Sequence, residues 1–232
     1  MEEINDTELL DNRFYKASEK YWDRIPPTVD GMLGGFGFLS EKDIDGSSHF
    51  LFSLFEVYHI ELINPPSRQK ALDCGAGIGR VTKNLLINHF ESVDLLEQNP
   101  KFIETAKTYL STCISRVDFH CSALQNFYPK PQKYDVIWCQ WVLGYIRDDD
   151  LIEFFKNCVS GLKKKGVLVV KDNVTSSNAL EFDTTDSSVT RPYKDLVGIF
   201  EKAGLICIKK KLQRYMPSGL YPVYMFALKP KN

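Results

Sequence analysis

The stretch Leu72-Asp73-Cys74-Gly75-Ala76-Gly77-Ile78-Gly79-Arg80 joins a short β-rich run to a helical one. It sets an acid at the end of the run, spaces its glycines at every second position, and opens into Val81-Thr82-Lys83. Glycines at such a junction let a ligand press against the backbone at the carboxyl edge of a sheet. Glu97 ends the next β-rich run, where an acid can accept both ribose hydroxyls of a nucleoside. Taken alone, the glycines also suit a merely tight structural turn.

Working outward, β-rich runs occupy Lys70 to Cys74, Ser92 to Glu97, Val117 to Cys121, Tyr134 to Cys139, Val167 to Lys171, Leu205 to Leu212 and Val223 to Leu228. Helical patterns lie at Gly79 to Asn88, Pro100 to Leu110, Asp148 to Leu162 and Pro192 to Ala203. This alternation predicts a doubly wound α/β domain with a mostly parallel sheet. The last two runs are separated by Gln213 to Pro222, too little chain for a crossover helix, so that pair should form an antiparallel edge hairpin. Trp138 falls mid-strand and reads as core, and Lys163-Lys164-Lys165 reads as the basic end of a helix.

Residues 1–66 form an N-terminal helical extension with a substrate-side loop, and residues 67–232 form the sheet domain, the two making one structural unit. Phe14, Ala17 and Tyr21 recur at helical spacing, which predicts a helix from Thr7 to Asp23 that stops before Pro26-Pro27. The chain then packs four glycines into the seven residues from Gly31 to Gly37, a density that argues against a regular helix and suits either a turn or a lid. A second helix is expected from Lys42 to Tyr58.

The chain has 232 residues, 44% hydrophobic and 25% charged, the composition of an ordinary folded protein. Lys+Arg 29 against Asp+Glu 30 leaves a net charge of -1, so the broad basic footprint of a duplex-binding protein is missing. No apolar run approaches the roughly 20 residues that span a bilayer. The start Met1-Glu2-Glu3-Ile4-Asn5-Asp6 is acidic where a secretory signal is basic and then apolar, so the cytoplasm is the expected location, with the nucleus as a second compartment. Cys74, Cys113, Cys121, Cys139, Cys158 and Cys207 are scattered without a Cys-x-x-Cys pair. They are expected to be buried free thiols, with no metal site.

Two nucleoside cofactors compete for the glycine turn. A nicotinamide dinucleotide expects Gly-x-Gly-x-x-Gly with its pyrophosphate on the helix N-terminus, and that spacing is not met. S-adenosylmethionine has no phosphate and carries a sulfonium and an α-ammonium, so the acid Asp73 favours it. The arrangement Asp-x-Gly-x-Gly-x-Gly resembles the first motif of the seven-strand, Rossmann-like methyltransferases that use S-adenosyl-L-methionine and release S-adenosyl-L-homocysteine. The resemblance implies that Gly75, Gly77 and Arg80 hold the methionine end, Glu97 the ribose, and Leu124 and Gln125 the adenine edge. Asp73, Gln98, Asn99 and Gln140 complete the implied cofactor contacts.

Segments outside that generic fold carry a narrower resemblance. Tyr21-Trp22, the run from Pro26 to Gly35, Trp138-Cys139-Gln140-Trp141, Lys171-Asp172-Asn173 and Asp186-Ser187-Ser188-Val189-Thr190-Arg191 together resemble the protein α-N-terminal methyltransferases. That family methylates the exposed α-amine of proteins beginning Xaa-Pro-Lys or Xaa-Pro-Arg after removal of the initiator Met. The likeness runs from Tyr15 to Leu228. It implies Asp186 as the base and Asn173 as the grip on the first peptide unit. Asp183 would attract the basic third residue, and Trp22 and Trp141 would flank the proline. Leu33, Leu39, Ser188 and Tyr221 would be further channel positions. Partners would be ribosomal or chromatin protein tails met by a monomer, with no direct contact to nucleic acid or membrane.

The chemistry of that acceptor is favourable. An α-amine with a pKa of about 7.7 to 8.0 is roughly a sixth neutral at pH 7, whereas a lysine is neutral about once in 2,500. A carboxylate is then a sufficient proton acceptor. One position departs from the family pattern: Gly144-Tyr145 stands where Gly-His is expected. Tyrosine is a poor base at neutral pH but still donates or accepts a hydrogen bond, which leaves Tyr145 on the substrate side and Asp186 with the proton. Read without the resemblance, Asp183 and Asp186 suit a turn and a cap equally well. A small-amine methyltransferase and a catalytically silent adenosyl-nucleoside binding module are the competing readings.

Overall fold

A computed structural model describes residues 6–56 and 65–231. The acidic start, the expected end of the second helix at residues 57–58 and its link through Asn64 lie outside the described residues. Five parallel strands form the centre of the sheet: β1 (Lys70–Cys74), β2 (Ser92–Glu97), β3 (Val117–Cys121), β4 (Tyr134–Gln140) and β5 (Leu162–Thr175), ordered β3-β2-β1-β4-β5. The remaining strands are β6 (Glu181–Asp183), β7 (Ser188–Pro192), β8 (Leu205–Leu212) and β9 (Val223–Pro230). The edge hairpin expected from the short last connection is present, with β9 antiparallel to both β5 and β8.

β5 forks. It pairs with β9 as far as Asn173 and then, from Val174, with β7 in parallel, while β6 folds back on β7. The β6–β7 hairpin is absent from the sequence expectation, which, with the resemblance set aside, gives Asp183 and Asp186 only a turn and a cap. Lys163, Lys164 and Lys165 also depart from expectation. α6 (Asp148–Gly161) stops at Gly161, so these lysines open β5 instead, and Lys163 Nζ meets Asp135 Oδ2 at 2.9 Å.

Helices cover both faces, as a doubly wound sheet requires. Ile137 and Cys139 of β4 point into one core with Phe154 and Phe155 of α6 and Phe200 of α7 (Tyr193–Lys202). Val136 and Trp138, the alternate positions, point into the other core. There they meet Phe50 and Leu51 of α3 (Ser40–Phe52), Val81 of α4 (Arg80–Asn84) and Ile103 of α5 (Pro100–Tyr109). The extension therefore packs on the sheet itself. The helix expected from Gly79 to Asn88 is shorter: α4 ends at Asn84, and a separate 3-10 turn covers Leu86–Asn88.

α1 (Asp6–Arg24) crosses above the carboxyl ends of the strands. Its Tyr15 hydroxyl donates to Asp150 and accepts from the Arg147 amide, and Ser187 donates to the Phe14 carbonyl. Further along, Asn99 donates to Asp23 at 2.9 Å. The glycine-dense segment contains one regular turn after all, α2 (Val29–Met32), because Thr28 caps it by accepting from the Gly31 amide at 3.0 Å. Asp30 closes the rest by accepting from the Gly37 amide at 2.9 Å. All six cysteines are free, but Cys121 and Cys207 are exposed rather than buried, since both sit on partly exposed strands. Among the described residues no helix is long and apolar enough to cross a membrane.

Candidate active site

A cavity of about 530 Å³ opens at the carboxyl ends of β1, β2 and β4, where the strand order reverses. Its cradle is the glycine turn. Gly75 and Gly77 adopt φ of +64° and +56°, and a Cβ would come within 2.3 Å of Val142 at the first and 2.6 Å of Met32 at the second. Only glycine meets both conditions. Glu97 accepts from the Gly77 amide at 2.9 Å and the Asn99 amide at 2.8 Å, tying the turn to the end of β2. Burial raises the Glu97 pKa, although these amides pull it back.

Arg80, Gln98, Asn99, Leu124, Gln125 and Gln140 line the same cavity, as the sequence reading groups them. Asp73 does not line it. Its carboxylate lies buried beneath the turn, accepts from the Thr82 hydroxyl at 2.6 Å, and is pushed by burial to a pKa of about 6. Behind the cavity wall sits a charge cluster that sequence reasoning missed. Asp43 of α3 is fully buried and pairs with Arg80 at 2.8 Å and Lys171 at 2.5 Å. Gln140 donates to both Asp43 oxygens at 2.9 Å and accepts from the Trp138 indole at 3.0 Å.

A second cavity of about 600 Å³ adjoins the first, and Trp141 and Tyr145 line both. Trp141 has φ of +52°, a sparsely populated conformation for an aromatic residue, and its amide donates to the Lys171 carbonyl at 3.0 Å. The second cavity is lined by the carboxylates Asp172, Glu181, Asp183 and Asp186 and, among the described residues, by no Lys, Arg or His. Its chemistry therefore favours a cationic occupant.

The β6–β7 hairpin and the turn before α6 build this wall together. Arg191 donates to the Leu143 and Ile146 carbonyls at 2.7 Å each and pairs with Asp148, clamping β7 onto the turn that carries Tyr145. Gly144 permits the approach, since a Cβ there would meet the Val189 carbonyl at 2.9 Å. The Tyr145 hydroxyl then donates to Asp186 Oδ2 at 2.6 Å, and the Ser188 amide donates to Asp186 Oδ1 at 3.0 Å. Asn173 lines the cavity with a side-chain amide that makes no hydrogen bond among the described residues. Beside it Asp172 accepts from the Leu143 and Asn173 amides, and burial raises its pKa to about 6. At the rim, Tyr221 donates to Glu181 at 2.5 Å, and Asp183 accepts from the Thr185 amide at 2.7 Å.

Asn173, Asp183, Asp186, Ser188, Tyr221 and Tyr145 are thus brought together. Trp22 lines the first cavity rather than the second and meets Tyr145 edge-on at 5.6 Å. Leu39 is core and Leu33 half-buried, and neither lines either cavity. Met32, Asp43, Glu181 and Arg191 were not anticipated. Met32, Arg191 and Asp172 at least stood inside the quoted motifs.

Residues 11–229 match the family described as AdoMet dependent proline di-methyltransferase. The chain belongs to this family. It is 45% identical over 217 residues to N-terminal Xaa-Pro-Lys N-methyltransferase 1 of Danio rerio, covering 93% of this chain and 95% of that one. Identity to the protein of the same name from Homo sapiens is 42% over 220 residues, covering 94% and 96%. A solved structure of a SAM-dependent methyltransferase from Leishmania major superposes with a TM-score of 0.84 at 34% identity, covering 93% of this chain and 83% of that one. Membership makes the chain one of the S-adenosylmethionine-dependent methyltransferases, with their α/β fold.

Proposed function

We propose that this chain uses S-adenosyl-L-methionine to methylate the α-amine of protein N-termini beginning Xaa-Pro-Lys or Xaa-Pro-Arg after Met removal. The observation that carries this is the pair of cavities meeting at Trp141 and Tyr145, one with a glycine cradle and a ribose-suited acid, the other walled by carboxylates. The names of its relatives support the same acceptor.

The first cavity suits the cofactor. Arg80 borders it with a buried positive charge, which fits an amino-acid carboxylate, and Gly75 and Gly77 leave no side chain over the cradle. Glu97 would take the ribose hydroxyls, while Leu124 and Gln125 would take the adenine edge. When bound, the cofactor supplies a methyl group activated on its sulfonium. The protein's own part is acceptor preparation. Asp186 receives a proton from the α-ammonium, Asn173 offers its side-chain amide to the first peptide unit, and Asp183 faces the basic third residue. Tyr145 holds Asp186 in place and does not itself act as base, because burial and the neighbouring carboxylate both raise its pKa. The reading extends to ribosomal or chromatin tails as substrates, met by a monomer in the cytoplasm or the nucleus.

A competition assay separates this acceptor from a small amine. A Ser-Pro-Lys peptide should inhibit its own labelled counterpart at micromolar concentration, while glycine and sarcosine at millimolar concentration should not. Inhibition by the small amines alone would turn the reading toward a metabolite methyltransferase.

A further inference from the structure

Lys171 is fully buried and lines neither cavity. Its ammonium is satisfied by Asp43 Oδ1, the Asp43 carbonyl, Ser47 Oγ and Gln213 Oε1, at 2.5, 3.0, 2.8 and 2.9 Å. Asp43 also holds Arg80, so one buried carboxylate faces two buried cations. The nearby acids do not restore neutrality by direct pairing. Asp73 is bonded to Thr82 and Glu97 to backbone amides, and among the described residues neither is within ion-pair distance of Arg80 or Lys171.

Without Lys171, Asp43 and Arg80 would be a neutral, mutually satisfied pair, and a guanidinium so paired has little charge left for a ligand. With Lys171 present, the cluster carries an excess positive charge, and Arg80 is its member at the cavity wall. We infer that Lys171 is a positioning residue for cofactor recognition: by pairing with Asp43 it leaves the Arg80 charge available to the carboxylate of the bound amino-acid moiety. This rests on the proposed cofactor reading and assigns a role to a residue that never touches the cofactor.

The test is titration calorimetry on the full chain with S-adenosyl-L-homocysteine and with its α-carboxamide, which differ in the carboxylate charge. The unaltered protein should prefer the acid by at least about tenfold, the scale of a charge-assisted hydrogen bond. Lys171→Met should reduce that preference to within about threefold with carboxamide affinity unchanged, and Asp43→Asn with Lys171→Met should restore it, since the carboxylate that neutralises Arg80 is then gone. A retained preference in Lys171→Met, or equal weakening of both ligands, overturns the inference and leaves a structural role. If Lys171→Met does not fold, Asp43→Asn alone, which keeps both cations, must still prefer the acid, and loss of that preference overturns it too. Failure of the unaltered chain to bind either compound would overturn the cofactor reading itself and this inference with it.

Discussion

The Tyr145 hydroxyl donates to Asp186 Oδ2 at 2.6 Å across the wall shared by the two cavities. The residue that replaces the family's expected histidine thus supports the carboxylate rather than competing with it. Burial first, then the hydrogen bond to Asp186 and after it the Asp186 charge, raise the tyrosine pKa, so it remains a donor at neutral pH.

Tyr145→Phe keeps the ring against Trp22 and removes the donor. A hydrogen bond to a charged group contributes about 1.5–3 kcal/mol, so kcat on a Ser-Pro-Lys peptide should fall at least tenfold, with S-adenosyl-L-homocysteine affinity within about twofold of the parent. Steady-state kinetics and calorimetry check both halves, and an unchanged kcat would remove Tyr145 from the account.

Asp186→Asn retains the shape and can still accept from the Ser188 amide, but it cannot take a proton. Turnover should drop by about 10²–10⁴, the usual contribution of a general base, while cofactor affinity holds. Single-turnover kinetics at saturating cofactor would show this, and parental rates would sink the assignment.

Glu97→Ala frees the Gly77 and Asn99 amides as well as removing the acid suited to a ribose. Binding of S-adenosyl-L-homocysteine should weaken at least tenfold, with little change in peptide KM at saturating cofactor. Equal affinity would contradict the proposed ribose contact.

Asp172 carries a pH signature in stability. Burial raises its folded pKa to about 6, above the unfolded carboxylate value of about 4. The folded state therefore holds its proton more tightly, and this group withdraws stability as pH rises from about 4 to about 6. Asp172→Asn lacks that loss. Between pH 4 and 7 its stability relative to the parent should improve by about 2–3 kcal/mol in urea denaturation, and a pH-independent difference would contradict the burial argument.

Much of the fold was legible because β1, β2, β3 and β8 are compact runs with clear turn boundaries, and their expected limits match the observed ones. The glycine turn was legible because glycine at positive φ leaves a sequence pattern. The β6 strand was not, since Glu181-Phe182-Asp183 is short, acidic and largely exposed, with no alternation to detect. Asp43 and Lys171 escaped because nothing local distinguishes a charged residue that will be buried from one that will be solvated. Their pairing joins α3 to β5 and exists only once the chain has folded. Leu33 and Leu39 came from resemblance alone, and the geometry sets them away from both cavities.

Mass spectrometry of a Ser-Pro-Lys peptide incubated with the chain and S-adenosyl-L-methionine addresses the proposed activity head-on. Parallel samples should carry an acetylated N-terminus or a residue other than proline at the second position. Methyl groups gained on the free Ser-Pro-Lys peptide alone, located by fragmentation on its α-nitrogen, are the expected result. Methylation that persists on the acetylated peptide, or none on any peptide despite demonstrable cofactor binding, would contradict α-amine transfer.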